Sequence, residues 1–255
     1  MSLPDAAAPL LRRIAFASFL LALVCRCYGS RADSTCYELR IYRCFEGRVP
    51  ALQKRFQEHT LSLFKKHGIR SIGYWLPLHG EPNTLYYIIA YPDRRSRDSM
   101  WNAFAQSAEW LEVKRRSEED GRIVDQVTSL FMTMPALSPR AEAFRSGADH
   151  TFELKTYPCA SGDCSNLLAA FNDAGRKILE KQGIRTVAVW LASQPDKTPA
   201  GVVCLFVHKS EAAARTSWEA IGRDRGWRQI TGAPSPYGAN ATSVLLAPLP
   251  FSGIR

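Results

Sequence analysis

The chain carries one pattern twice, and this duplication limits its fold more than any other feature. Tyr37-Glu38-Leu39-Arg40-Ile41-Tyr42-Arg43-Cys44 aligns with Phe152-Glu153-Leu154-Lys155-Thr156-Tyr157-Pro158-Cys159 at an offset of 115 residues. The same offset carries Gly68-Ile69-Arg70 onto Gly183-Ile184-Arg185 and Trp75-Leu76 onto Trp190-Leu191. After a two-residue shift Trp101 and Trp110 fall on Trp218 and Trp227, and Thr128-Ser129 matches Thr242-Ser243 at an offset of 114, so all six tryptophans pair between the halves. Self-similarity at a nearly fixed spacing is the mark of a repeated structural unit.

Within the first half, residues 36–43 alternate as a strand, and residues 50–66 recur with helical period through Leu52, Phe56, Leu61 and Phe64 until Gly68 stops the helix. Residues 69–77 and 84–91 read as strands joined by a turn at His79-Gly80-Glu81-Pro82-Asn83. Helices over about 96–105 and 110–118 and a strand over 123–132 complete a βαββαβ unit. The second half repeats it, with strands near 151, 185, 201 and 240 and helices near 165 and 210. Such a unit makes an antiparallel sheet with its helices on one face, and two open faces can close on each other as a barrel or a sandwich. The expected fold is α+β, a pseudo-dimer of ferredoxin-like repeats around a small, partly polar central cavity. The alternative is that each half pairs with another chain in a homo-oligomer.

The expected domain plan has four parts: a signal peptide over 1–32, a first domain over 33–134, a linker rich in Ser, Pro, Arg and Gly over 135–149, and a second domain over 150–255. Residues 14–24 form an apolar run of eleven, preceded by Arg12-Arg13 and followed by Ser30-Arg31-Ala32, the order of a cleaved secretory signal. A permanent membrane helix needs about 20 such residues, so no stable span is expected after processing. Cleavage near Ala32 would deliver the protein to a periplasm or the cell exterior; mitochondrial import and a retained anchor are the competing readings.

Of the net charge of +9, the first 32 residues hold +3, leaving +6 (9 − 3) for the remainder without a basic block. Nucleic acid is therefore not an expected partner. Cleavage would also leave five cysteines, an odd number. Cys36 and Cys44, on one strand and about 26 Å apart when extended, cannot bond to each other, whereas Cys159 and Cys164 flank a short turn and can bond in an oxidising compartment. No spacing suits a metal site, and no phosphate loop, dinucleotide fingerprint or nucleophile elbow occurs. No cofactor is expected.

The Tyr37-Glu38-Leu39-Arg40-Ile41-Tyr42 opening, the strands Gly68–Trp75 and Asn83–Tyr91, and the Glu109-Trp110 pair resemble the NIPSNAP family. The likeness covers residues 36–138 nearly throughout and is close to exported bacterial members. The second repeat keeps Glu153, Tyr157, Trp190, Trp218 and Trp227, but lacks the Asn-Thr before its third strand and has Gly226 where the first has Glu109. The resemblance implies a dimeric α+β barrel, often built from tandem repeats. Some animal relatives are linked to mitochondria, vesicle traffic and recruitment of autophagy proteins. The wider superfamily includes cofactor-free monooxygenases, isomerases and haem-degrading enzymes, and a shared fold permits these activities without assigning one.

Glu38, Arg40 and Tyr42 share one strand face, as do Glu153, Lys155 and Tyr157. Projected into the central cavity, they are the expected ligand-binding set, with Glu38 and Tyr42 as candidate catalytic groups. The competing reading is a Glu-Arg or cross-repeat ion pair satisfying a buried interface, with Glu38 to Lys155 and Glu153 to Arg40 as the cross-repeat partners. Trp75 and Trp190 are the candidate stacking surfaces for a flat ligand, with core packing of the tryptophans as the competing reading, and His79, on the hairpin turn, is a candidate base at the cavity mouth. The expected function is binding of a small molecule or a partner through the cavity. A monooxygenase or isomerase acting on a small aromatic or keto substrate, and a non-catalytic scaffold, are the alternatives.

Overall fold

Alternating side chains make strand β1 (Cys36–Cys44), which lies between β3 (Thr84–Tyr91) and β4 (Val124–Thr133); β2 (Arg70–Pro77) pairs with the far edge of β3. The second repeat has the same arrangement, with β5 (Thr151–Pro158) between β7 (Gly201–His208) and β8 (Thr242–Pro248), and β6 (Arg185–Ser193) beside β7. The structure is a computed structural model that describes residues 34–144, 150–159, 164–193, 201–231 and 241–255. The expected signal segment, 1–32, lies outside the described residues.

The two sheets close into one eight-stranded barrel of order β1-β3-β2-β8-β5-β7-β6-β4. Two short seams join the repeats. Trp75–Pro77 pair with Pro248–Leu246 at one, and Phe131–Thr133 with Ser193–Leu191 at the other. All eight strands are thus antiparallel to their neighbours, and the sandwich alternative gives way to the barrel. Both repeats carry a register shift at the corresponding place in the second strand, between Ser71 and Gly73 and between Thr186 and Ala188.

Outside each sheet lie four helical segments. In the first repeat they are α1 (Val49–Arg55) and α2 (Leu61–Lys66), then α3 (Arg94–Ala105) and α4 (Ala108–Ser117). In the second they are α5 (Ser165–Ala170), α6 (Arg176–Lys181), α7 (Glu211–Arg223) and α8 (Arg225–Thr231). Asp93, Ser107 and Ser210 cap α3, α4 and α7 by accepting the backbone N–H three residues on, which gives an acceptor to a donor that the first turn leaves unpaired. Between α1 and α2, and again between α5 and α6, one turn widens to π geometry, at Phe56–Thr60 and Phe171–Gly175. Gly68 and Gly183 follow α2 and α6 with φ of +73° and +81°, a left-handed conformation that only glycine adopts without strain.

The sheet has no exposed face in its centre: β3 and β7 are buried at every position. Tyr37, Leu39, Trp75, Ile88, Phe152, Leu154, Trp190 and Leu205 fill the barrel interior together, with Ala141 and Phe144 from the segment between the repeats. The opposite face of each sheet packs on its own helices, with Phe56, Phe64 and Phe104 in one repeat and Phe171, Leu179 and Ile221 in the other. Each such buried side chain stabilises by roughly 1.5–3 kcal/mol relative to exposure. The partly polar central cavity expected from the sequence is corrected here. The interior is an apolar core, because the face of β1 carrying Tyr37 and Leu39 is the one that turns inward.

Candidate functional site

Glu38, Arg40 and Tyr42 lie on the outer face of β1, beneath α3. Glu38, fully buried, accepts hydrogen bonds at Oε1 from Arg40 Nη1, Arg97 Nη2 (2.8 Å) and Ser129 Oγ (2.5 Å), and at Oε2 from Arg97 Nε (2.8 Å) and Tyr91 (3.3 Å). Arg40 also donates to the hydroxyls of Tyr87 (2.8 Å) and Tyr42 (3.2 Å), and its guanidinium sits 4.0 Å from the centroid of the Trp101 ring. Burial disfavours the Glu38 carboxylate, but the hydrogen bonds from Arg97, the charge of Arg40 and the Ser129 bond outweigh it and hold its pKa below the ordinary value. Two guanidiniums, three phenols and an indole fill this site.

The second repeat builds the same site with smaller or neutral parts. Register places Cys204 beside Lys155 where Tyr87 stands beside Arg40, and His208 opposite Thr151 where Tyr91 stands opposite Cys36. Counting four residues from the caps Asp93 and Ser210 sets Ala214 in the place of Arg97. Glu153 accepts from Ser243 Oγ (2.5 Å) at Oε1, and at Oε2 from Trp218 Nε1 (2.6 Å) and from the His208 ring, whose Nε2 lies 2.8 Å away. Burial opposes the charged form of Glu153, and His208, Lys155, Ser243 and Trp218 together overcome it to lower the pKa.

Lys155 Nζ stands 3.7 Å from Glu153 Oε1, 3.7 Å from the Trp218 ring centroid and 5.9 Å from that of Tyr157. Its desolvation outweighs the attraction of Glu153 and lowers its pKa. Tyr157 packs on Phe171, the first residue of the widened turn, with centroids 5.3 Å apart, and its buried hydroxyl has no partner among the described residues. Burial, then the neighbouring Cys204 and Glu153, raise its pKa well above the usual phenol value.

A cleft of about 280 Å³ opens between sheet and helices, lined by Lys155, Tyr157, Trp218, Trp227, Gly222 and their neighbours. Phe171 and Trp227 meet edge to face at 5.8 Å behind it. Its inventory is a nucleophile-bearing cation, an unpaired phenol and two indoles, which suits an aromatic molecule bearing an oxygen.

Several expected placements are corrected. Glu38, Arg40, Tyr42, Glu153, Lys155 and Tyr157 do not enter the central cavity, because the helices and not the opposite sheet cover their face. Of the two expected kinds of ion pair, the Glu-Arg pair forms, Glu38 bonding Arg40 and also Arg97, and the cross-repeat pairs do not, since Glu153 approaches Lys155 and His208 of its own repeat. Trp75 is interior core, 5.8 Å from Phe152. His79 is exposed on its hairpin and pairs with Glu211 at 2.9 Å, at the start of α7, away from both carboxylate sites. The missed residues, Arg97, Tyr87, Tyr91, Trp101 and Ser129 with their counterparts, come from other strands and helices. Two of them did carry a signal, since Trp101 with Trp218 and Ser129 with Ser243 are among the pairs that recur between the halves.

Among the described residues no group of three or more His, Cys, Asp or Glu is placed to hold a metal ion. Cys159 and Cys164 form a disulfide between the end of β5 and the start of α5. No described helix is long and apolar enough to cross a membrane.

The NIPSNAP family model matches residues 37–139 and 152–253, one match on each repeat. An anthrone oxidase-like protein has a similar structure, with 13% identity and a TM-score of 0.58 over 85% of this chain and 92% of the other. A putative monooxygenase from Fusobacterium nucleatum subsp. nucleatum is similar over 85% of this chain and 93% of its own, with 8% identity and a TM-score of 0.57. An uncharacterized NIPSNAP domain protein from Burkholderia xenovorans, 25% identical, covers 41% of this chain and 98% of its own with a TM-score of 0.36. No curated protein matches the chain.

Proposed function

The chain belongs to the NIPSNAP family, and from that premise we propose that it binds a small aromatic molecule carrying an oxygen acceptor, in the sheet–helix cleft of its second repeat. The observation that carries this reading is Tyr157, which lines a cleft with Lys155 and two indoles and whose buried hydroxyl has no partner among the described residues. A buried hydroxyl without a partner costs about 1–3 kcal/mol, which a ligand oxygen recovers on binding. Ligand sites commonly span about 300–1,000 Å³, so a cleft of about 280 Å³ suits one substituted ring. In this reading Glu153 positions Lys155 and Trp218, while the filled set around Glu38 in the first repeat is structural.

The second reading is a cofactor-independent monooxygenase or isomerase, with Lys155 and Tyr157 touching the substrate. The similar structures named as a putative monooxygenase and an anthrone oxidase-like protein support it at the level of fold. It differs in requiring product to form.

Export belongs to the same proposal. The apolar run at 14–24 and Ser30-Arg31-Ala32 support cleavage near Ala32, and the Cys159–Cys164 disulfide suits an oxidising compartment.

Native mass spectrometry of protein from its own host reads processing, subunit count and any retained molecule together. A mass beginning near residue 33 with a bound aromatic compound is the expected result. An unprocessed, empty protein counts against both export and binding. Calorimetric titration with salicylate then tests the cleft: Tyr157→Phe is expected to weaken binding by about fivefold, the worth of one hydrogen bond of about 1 kcal/mol. Unchanged affinity in Tyr157→Phe removes the cleft from the proposal.

A further inference from the structure

We propose that Lys155 is a nucleophile that captures the carbonyl carbon of a small aromatic aldehyde or ketone as an imine, an inference that rests on the binding reading above and adds a covalent step to it. Three differences between the repeats carry it. Where the first has Arg40, whose guanidinium cannot give up its proton in a protein, the second has a lysine, whose amine can. Where Arg40 donates to the hydroxyls of Tyr87 and Tyr42, Lys155 has Cys204 in the place of Tyr87 and itself lines an open cleft with Tyr157, Trp218 and Trp227. Where Tyr42 receives a hydrogen bond from Arg40, the buried hydroxyl of Tyr157, a residue of the cleft wall, has no partner among the described residues.

Glu153 Oε1 forms an ion pair with Nζ at 3.7 Å, and the two carboxylate oxygens also accept from Ser243, Trp218 and the His208 ring. Trp218 supplies one wall at 3.7 Å and restricts where Nζ can go. Desolvation lowers the Lys155 pKa, and every other described lysine is exposed to solvent. Buried lysines with depressed pKa values form Schiff bases for this reason.

The step balances within the cleft. The neutral amine of Lys155 adds to the carbonyl carbon, forming the C–N bond as the C=O π bond breaks. Tyr157 gives its proton to the carbonyl oxygen and takes one from the nitrogen, which leaves a carbinolamine and a restored phenol. Loss of the carbinolamine hydroxyl with the remaining nitrogen proton, as water, gives the neutral imine. Nothing is oxidised or reduced.

The test treats the mature protein with salicylaldehyde and sodium cyanoborohydride near neutral pH, follows the intact mass, and maps the modified peptide. In parallel, saturation-transfer NMR with salicylate, which cannot form an imine, reads binding alone. The expected result is one adduct per chain on Lys155, formed at least tenfold faster than on any exposed lysine, lost in Lys155→Arg and slowed about tenfold in Tyr157→Phe. Gly222→Phe is a second check that spares the reacting groups. Gly222 lines the cleft, and a side chain there meets open space, so this variant should protect Lys155 while the exposed lysines react as before. Salicylate binding with no preference for Lys155 overturns the imine and leaves the binding reading standing. Neither binding nor labelling overturns both.

Discussion

Tyr37 of the first repeat and Trp190 of the second meet inside the barrel, with ring centroids 5.7 Å apart and planes inclined at 56°. Each comes from a strand of a different repeat, so the two halves share one core, and neither sheet retains its inner face without the other. Trp190→Ala is expected to cost about 3–5 kcal/mol, the usual loss for a large buried aromatic. Urea unfolding followed by tryptophan fluorescence and by far-UV circular dichroism should give one coincident transition for both repeats. Two separated transitions would show that the repeats unfold independently.

Glu38 is the counterion of two buried guanidiniums. Glu38→Gln leaves Arg40 and Arg97 facing a neutral amide, and breaking a buried pair in this way costs about 3–5 kcal/mol. The loss should appear as a lower urea midpoint at neutral pH. A change below about 1 kcal/mol would mean that Arg97 swings out to water and the network carries little energy.

Both buried carboxyls, Glu38 and Glu153, have folded-state pKa values below the ordinary 4.5. A depressed carboxyl binds its proton more weakly in the folded chain than in the unfolded one. Its contribution is therefore complete above about pH 4.5 and is lost as pH falls through the folded value. Unfolding free energy measured from pH 7 downward should decline below pH 4.5, and Glu38→Gln should flatten that decline. An identical acid limb in wild type and variant would sink the assignment.

Arg97→Ala reproduces in the first repeat what Ala214 is in the second. It removes two charged hydrogen bonds to Glu38 but leaves those of Arg40, Ser129 and Tyr91. The expected loss is about 1.5–3 kcal/mol, together with a new cleft beside Arg40. Hydrogen exchange at β1 reads the stability change locally, and a crystal structure of the variant reads the cleft.

Cys159 and Cys164 close a loop of five residues. Loop-closure entropy for so short a ring gives ~2 kcal/mol, so Cys159→Ser should lower stability by that amount in oxidised protein and by nothing once dithiothreitol is present. Cys36, Cys44 and Cys204 are buried free thiols, with the first two pushed up to about 11 chiefly by burial. They should stay unmodified by iodoacetamide in the folded state.

The duplication, the order of strands and helices, and the α+β class were legible in the residues, because period-two and helical patterns are local and the matched tryptophans register one half on the other; between barrel and sandwich only the resemblance to the NIPSNAP family pointed to the barrel. Alternation also showed correctly that Glu38, Arg40 and Tyr42 share a face, as do Glu153, Lys155 and Tyr157. It could not say which face turns inward. A barrel wrapped by helices buries both faces of each sheet, so burial alone does not separate them; what separates them is whether helices or the opposite sheet supply the cover.

Only the tertiary structure decided that Tyr37, Leu39 and Trp75 line the core while the charged set lies under α3 and α7. It also decided that one of two homologous sites is filled and the other open. The parts that differ, Arg97 against Ala214 and Tyr87 against Cys204, stand 49 to 61 positions from the carboxylate of their own repeat. Side chains so distant in sequence meet only when strands pair and a helix crosses them, and no local pattern records that meeting.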